Sequence, residues 1–128
     1  MAKIVFDASA VLAFLRSEPG AEVVASYGGD ALISAVNYQE VTHQMLRRGF
    51  LPEIIEQMLA ALHLDVRPHD QVDATVAATL YSFTEKFGCG LGDRSCLALA
   101  SRKGLPVLTT DQIWSKLNIP DLEVRLAR

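Results

Sequence analysis

Cysteine is scarce here, with Cys89 and Cys96 the only two in the chain. Their spacing fits neither a CxxC redox pair nor a zinc knuckle, so two reduced and buried thiols are expected. Aromatic residues make up 7% of the chain, and no aromatic-rich platform for stacking single-stranded bases is visible. The single tryptophan, Trp114, is assigned to packing. Long apolar runs are missing too: none approaches the roughly 20 residues that span a bilayer. Lys3 precedes Ile4-Val5-Phe6, but Asp7 interrupts that run and no small-residue cleavage site follows. A signal peptide is therefore not expected, and a cytoplasmic location without membrane contact is. His43, His63 and His69 have no paired spacing, which argues against a zinc-binding set. No serine–histidine or cysteine–histidine pairing suggests a nucleophilic triad. Repeats, low-complexity tracts and linkers are absent, so residues 1–128 read as one domain.

An excess of positive charge is also lacking, since the formal net charge is −3. That argues against tight non-specific binding to duplex nucleic acid. Four of the acidic residues are candidates for one site. Without them the remaining charge is near neutral, and transient contact with a few phosphates stays compatible with the composition.

What the chain does have is an apolar fraction of 50%, ample for a core. Strand-like runs alternate with helical ones. Lys3 to Phe6, Ala31 to Ser34, Leu64 to Arg67, Pro106 to Leu108 and Leu122 to Leu126 read as strands. Helices are expected over Ala8 to Leu15, Pro19 to Tyr27, Ala35 to Arg48 and Pro52 to Leu62. Further helices are expected over Asp70 to Phe87, Asp93 to Lys103 and Gln112 to Leu117. This alternation predicts an α/β fold with a central parallel sheet flanked by helices on both faces. Functional crevices in such sheets open at the carboxyl ends of the strands.

Three acids stand at such ends or at helix starts. Asp7 follows the first strand, Asp111 follows Val107-Leu108-Thr109-Thr110, and Asp93 follows a glycine-rich loop. Each alone is also explained as a helix cap. Glu40 lies within a helix at the edge of its inward stripe, where a solvated helix face is the ordinary alternative. Together, carboxylates at one sheet edge repel one another unless protons or a cation neutralise them. A hard divalent ion with oxygen ligands, Mg²⁺ or Mn²⁺, is the natural occupant. Such a site suits phosphodiester hydrolysis. Ser9 and Thr109 place hydroxyls beside the acids, where they can orient a carboxylate, water or phosphate, or simply cap.

At these residues the chain resembles a known family. V-F-D-A-S-A-V-L-A-F-L at 5–15 resembles the opening of a PIN-domain nuclease. The helix around Asn37 to Met45, with Glu40-Val41, resembles that family's second acidic element. L-G-D-R-S-C-L-A-L-A at 91–100 resembles the third, and L-P-V-L-T-T-D at 105–111 the fourth. The match runs over essentially the whole chain and is nearest to the VapC toxins of type II toxin–antitoxin pairs. The resemblance implies a PIN-like three-layer α/β/α fold and a Mg²⁺- or Mn²⁺-dependent endoribonuclease acting on RNA. It also implies a homodimer and a VapB-like antitoxin that covers the site. By position, Asp7, Glu40, Asp93 and Asp111 match the four acids, as catalytic residues and metal ligands. Asp111 either touches metal or acts through a water. Ser9 and Thr109 match the hydroxyl residues, and Arg94 can approach an RNA phosphate. Specificity is expected from RNA shape, the dimer groove and a few loops. Two other readings compete. One is a catalytically weak PIN-like binding module. The other is a receiver-like phosphoacceptor domain, which would want neighbouring acids after the first strand and a lysine after a late one.

Overall fold

The computed structural model describes all 128 residues. Five short strands form one parallel sheet: β1 (Ile4–Phe6), β2 (Ala31–Ser34), β3 (Asp65–Arg67), β4 (Val107–Thr109) and β5 (Val124–Leu126). Their order across the sheet is β3-β2-β1-β4-β5. The helices are α1 (Ala8–Leu15), α2 (Ala21–Ala25), α3 (Ala35–Arg47), α4 (Pro52–Ala60), α5 (Gln71–Thr79), α6 (Tyr81–Thr84) and α7 (Leu91–Lys103). Short 3₁₀ turns occupy Glu85–Phe87 and Gln112–Lys116.

The three inner strands are buried throughout, as a sheet covered on both faces requires. Their side chains alternate between two cores. Ile4, Phe6, Ile33 and Leu108 pack on one face with Val11, Val24, Val41 and Met45 from α1, α2 and α3. Val5, Leu32 and Val107 point the other way, against Ala77, Leu97, Ala100 and Trp114. The result is the three-layer α/β/α architecture expected from the alternation. The chain builds outward from β1 to β2 and β3, then returns to place β4 on the other side of β1. The strand order thus reverses at the β1–β4 boundary, where a crevice opens beyond the carboxyl ends.

Several elements differ from the sequence expectation. The segment expected as one helix from Asp70 to Phe87 is instead α5, α6 and a 3₁₀ turn. Thr79 Oγ1 donates to the carbonyl of Val76 at 2.7 Å, and Thr84 Oγ1 to that of Leu80 at 2.9 Å. Such back-bonding loosens a helix's own ladder and bends it. The helix expected from Pro19 begins only at Ala21, because Gly20 takes a φ of 96° at its cap. A Cβ at Gly20 would also lie 2.7 Å from the carbonyl oxygen of Ala127 beside β5, so glycine is required there twice over. The helix near Gln112 is a 3₁₀ turn. Helix α7 starts at Leu91 rather than Asp93.

Helix α5 is fixed at its start by a reciprocal cap. The Asp70 carboxylate accepts the Asp73 N–H at 2.9 Å, and Asp73 accepts the Asp70 N–H at 3.2 Å. Asp73 also pairs with Arg102 of α7, which ties the two helices together. Asp70→Ala should destabilise the fold by about 1 kcal/mol, the usual cost of a lost cap, measured as a lower urea midpoint. An unchanged midpoint would mean the cap is dispensable.

Candidate active site

Asp7 occupies the cap position of α1, yet its side chain makes no capping bond. The ordinary explanation for an aspartate there therefore fails. Asp7 is buried, and its Oδ2 instead accepts from Ser9 Oγ at 2.7 Å and from Thr109 Oγ1 at 2.8 Å. Register explains the meeting. Phe6 pairs with Leu108, so the next rung places Asp7 opposite Thr109. The direction of the two bonds is set by their neighbours. Ser9 Oγ accepts the Thr110 N–H at 3.0 Å, and Thr109 Oγ1 accepts the Asp111 N–H at 3.0 Å. Each hydroxyl's single proton is then free to point at Asp7. Both readings left open for Ser9 and Thr109 hold at once: they satisfy backbone N–H groups and they orient a carboxylate.

Glu40 sits at the exposed rim on α3. Its Oε1 accepts from Asn37 Nδ2 at 2.7 Å, and the same nitrogen donates to the Gly92 carbonyl at 2.9 Å. Asp93 lies in the first turn of α7, half-buried, with Oδ2 accepting the Gly90 N–H at 2.9 Å. Asp111 is exposed and caps the following turn by accepting the Ile113 N–H at 3.1 Å. Arg94 Nη1 donates to the Cys89 carbonyl at 2.7 Å, which braces the glycine loop. Asn37 and Gly92 were not singled out from the sequence. The helical spacing of Asn37 before Glu40 was the available signal for the first. Trp114 is fully buried and cannot stack a base.

The carboxylates share a common electrostatic environment. Burial pushes Asp7 up from 3.8 to about 6 against the pull of its two hydroxyl donors, and the charges of Asp93 and Glu40 add to the rise. Glu40 is raised by burial and by Asp93, opposed by the Asn37 bond. Asp93 is raised by burial and by Asp111, opposed by the Gly90 N–H and Arg94. Asp7, Glu40, Asp93 and Asp111 thus act on one another at the carboxyl edge of the sheet. They do not form a closed cage: no three acidic, histidine or cysteine side chains stand close enough to enclose an ion. The set nonetheless fits a hard cation. All its donors are oxygens, and it carries negative charge in excess. Magnesium, moreover, is ordinarily held by one or two carboxylates while keeping waters and substrate oxygens as its other ligands.

The same acids disable the nearby thiols. Cys89 is pushed up to about 11 by burial and by Asp93 and Asp111. Cys96, fully buried with its Sγ donating to the Phe6 carbonyl at 3.7 Å, is also raised well above the ordinary thiol value, by burial first. At pH 7 roughly one Cys89 in 10⁴ is then a thiolate. A thiol-reactive dye should leave the native protein unlabelled and react with both cysteines in urea. Stoichiometric labelling of native protein within minutes would contradict this.

An α/β/α domain with acids gathered at the switch point of a parallel sheet has its candidate site where such sheets bind their ligands. The chain belongs to the PIN domain family, whose sequence profile matches residues 4–120. No curated protein sequence matches it significantly. Among solved structures it is similar in fold to DNA-bound VapBC from Salmonella typhimurium, with a TM-score of 0.70, 18% identity and full coverage of both chains (100% and 100%). It is similar to a toxin–antitoxin complex from Klebsiella pneumoniae, with a TM-score of 0.72 and 17% identity over 94% of this chain and 95% of that one. FitAcB from Neisseria gonorrhoeae gives a TM-score of 0.65 and 22% identity over 94% and 95%.

Proposed function

We propose that this protein is a metal-dependent endoribonuclease, the VapC-type toxin of a type II toxin–antitoxin pair. The observation that carries the proposal is the convergence of Asp7, Glu40, Asp93 and Asp111 on the β1–β4 crevice. Asp7 and Asp93 are the residues proposed to hold Mg²⁺ or Mn²⁺ first, with Glu40 and Asp111 acting directly or through a water. A bound divalent ion there would lower the pKa of a water and offset charge on the phosphate and leaving oxygen. The chain's own residues prepare that chemistry. Ser9 and Thr109 fix the rotamer of Asp7 and leave its Oδ1 outside their bonds. Asp93 is held by the Gly90 N–H at the cap of α7. Arg94 braces the loop before α7 and lies at the edge where an RNA phosphate would approach.

Partners are part of the same proposal. Leu46, Phe50, Leu51 and Ile54 are exposed where α3 turns into α4, a surface suited to the apolar face of a VapB-like antitoxin segment. Exposed Tyr81 and Leu91, which line one surface hollow with Ala74, Ala77 and Ala78, are the face proposed for self-association as a homodimer. No helix is long and apolar enough to cross a membrane, and action on cellular RNA fits a cytoplasmic location. The test is cleavage of a broad RNA panel by antitoxin-free protein with Mg²⁺ or Mn²⁺, beside Asp7→Asn and Asp93→Asn. Cleavage by the parent alone supports the proposal. Equal cleavage by the variants overturns the site. No cleavage by any of them favours a PIN-like module that only binds.

A further inference from the structure

We infer that Asn37 is a positioning residue of the acidic site and that Gly92 is its counterpart. Together they determine where the Glu40 carboxylate stands relative to Asp93. This rests on the nuclease reading above.

Glu40 needs such a device. It lies at the exposed rim of α3, where a glutamate ordinarily samples many rotamers and gains nothing from holding one. Here it is held. Asn37, fully buried one turn earlier, uses Nδ2 to donate to Glu40 Oε1 at 2.7 Å and to the Gly92 carbonyl at 2.9 Å. One amide nitrogen carries two hydrogens, so both bonds are satisfied together. The amide cannot be reversed, because its oxygen would then face a carboxylate and a carbonyl. The two bonds tie α3 to the first turn of α7 one residue before Asp93. Asn37 thus links the elements that carry two of the proposed acids.

The other end of the amide argues that this is more than packing. Asn37 Oδ1 is buried and has no hydrogen-bond donor. The buried oxygen carries a desolvation cost that the two Nδ2 bonds must offset. Its two donors serve Glu40 on its own helix and Gly92 on the neighbouring one, so the amide both joins α3 to α7 and sets the carboxylate.

Gly92 supplies the space. Its φ is not in the left-handed region, so the backbone does not require glycine. A Cβ there would lie 2.7 Å from Glu40 Cδ and 2.9 Å from Oε2, and closer still to Oε1. The Glu40 carboxylate occupies the place where a side chain would begin. Gly92 is also in the first turn of a helix, where alanine would ordinarily be the better residue.

Two variants separate positioning from stability. Asn37→Leu keeps the branched shape and removes both donors. It should leave the protein folded, lower kcat by about 10- to 100-fold with KM for RNA within about threefold, and weaken Mn²⁺ binding in calorimetry by a similar factor. Gly92→Ala should displace the Glu40 carboxylate and weaken Mn²⁺ binding in the parent, and it should raise Tm less in the parent than in a Glu40→Ala background, where the space is free. A parent that cuts RNA while Asn37→Leu cuts and binds Mn²⁺ equally well overturns the inference. The same shift in Tm for Gly92→Ala in both backgrounds overturns it too. A parent that cuts no RNA overturns the nuclease reading instead, and the Mn²⁺ and Tm arms then decide the Asn37–Gly92 clamp alone.

Discussion

Asp7→Asn is expected to abolish most RNA cleavage while leaving the protein folded and, without metal, more stable at neutral pH. The two effects have one cause. A carboxylate that is buried and faces Glu40 and Asp93 is costly to ionise, which is why its pKa rises to about 6. Asparagine keeps the acceptor that Ser9 and Thr109 need, since both donate to a single oxygen. It removes the charge that a cation would bind. Losing one preorganised charge from such a site lowers kcat by on the order of 10²–10³-fold. Asp93→Asn should reduce cleavage comparably, but with a smaller stability gain, because Asp93 is only half-buried and its lost charge also weakens the bond to the Gly90 N–H. Gain of stability with loss of activity is the signature of a functional carboxylate rather than a structural one. Measured together, a Tm that falls in Asp7→Asn, or cleavage that survives in both variants, would place the acids outside the chemistry.

How much of this was legible in the sequence depends on the range of the interactions involved. The inner strands were readable because both their faces are buried, and Ile4-Val5-Phe6 and Ala31-Leu32-Ile33 announce this as continuous apolar runs. Asp7, Thr109 and Asp111 were readable for the same reason: they follow strands, and a parallel sheet brings strand ends to one edge. The α5–α6 break was not legible. It depends on whether Thr79 and Thr84 turn their hydroxyls back on the helix, a choice that an apolar period cannot register. Asp93 was misplaced as the first residue of its helix, because a glycine at position 90 can start a helix when an acid three residues on accepts its N–H. Asn37 and Gly92 were hidden for a deeper reason. Gly92 resembles its loop neighbours Gly88 and Gly90 in sequence and differs only in what stands beside it after folding. Asn37 looks like one more polar residue on α3 until α7 buries it. The acids of the candidate site stand out locally; the contacts of Asn37 and Gly92 with Glu40 exist only after folding.

The metal-free protein should lose stability as pH rises from about 4 to about 6, opposite to the usual behaviour of paired carboxylates. The sign follows from Asp7. Its folded value lies above its ordinary 3.8, so the folded state holds the proton more tightly than the unfolded chain. The resulting stabilisation is complete below pH 4 and disappears as pH passes through 6. A rise from 3.8 to about 6 corresponds to about 3 kcal/mol. Glu40 and Asp93 are raised as well and act in the same direction. Asp73 opposes them. Burial raises it, but the bonds from Arg102 and Asp70 outweigh burial and hold it below the ordinary 3.8, so its contribution is kept above pH 3.8 and lost as pH falls below that value. The two trends place the optimum of the metal-free protein near the ordinary carboxylate value of 3.8. A divalent cation should reverse the loss above pH 6, because it binds the ionised set and favours the folded state by mass action. Urea midpoints in EDTA and in Mn²⁺ across pH 4 to 8 test this, with Asp7→Asn as the control in which most of the slope is gone. Equal slopes for parent and Asp7→Asn, or a slope that Mn²⁺ does not flatten, would show that Asp7 is not the buried, repelled carboxylate on which both the site and its chemistry depend.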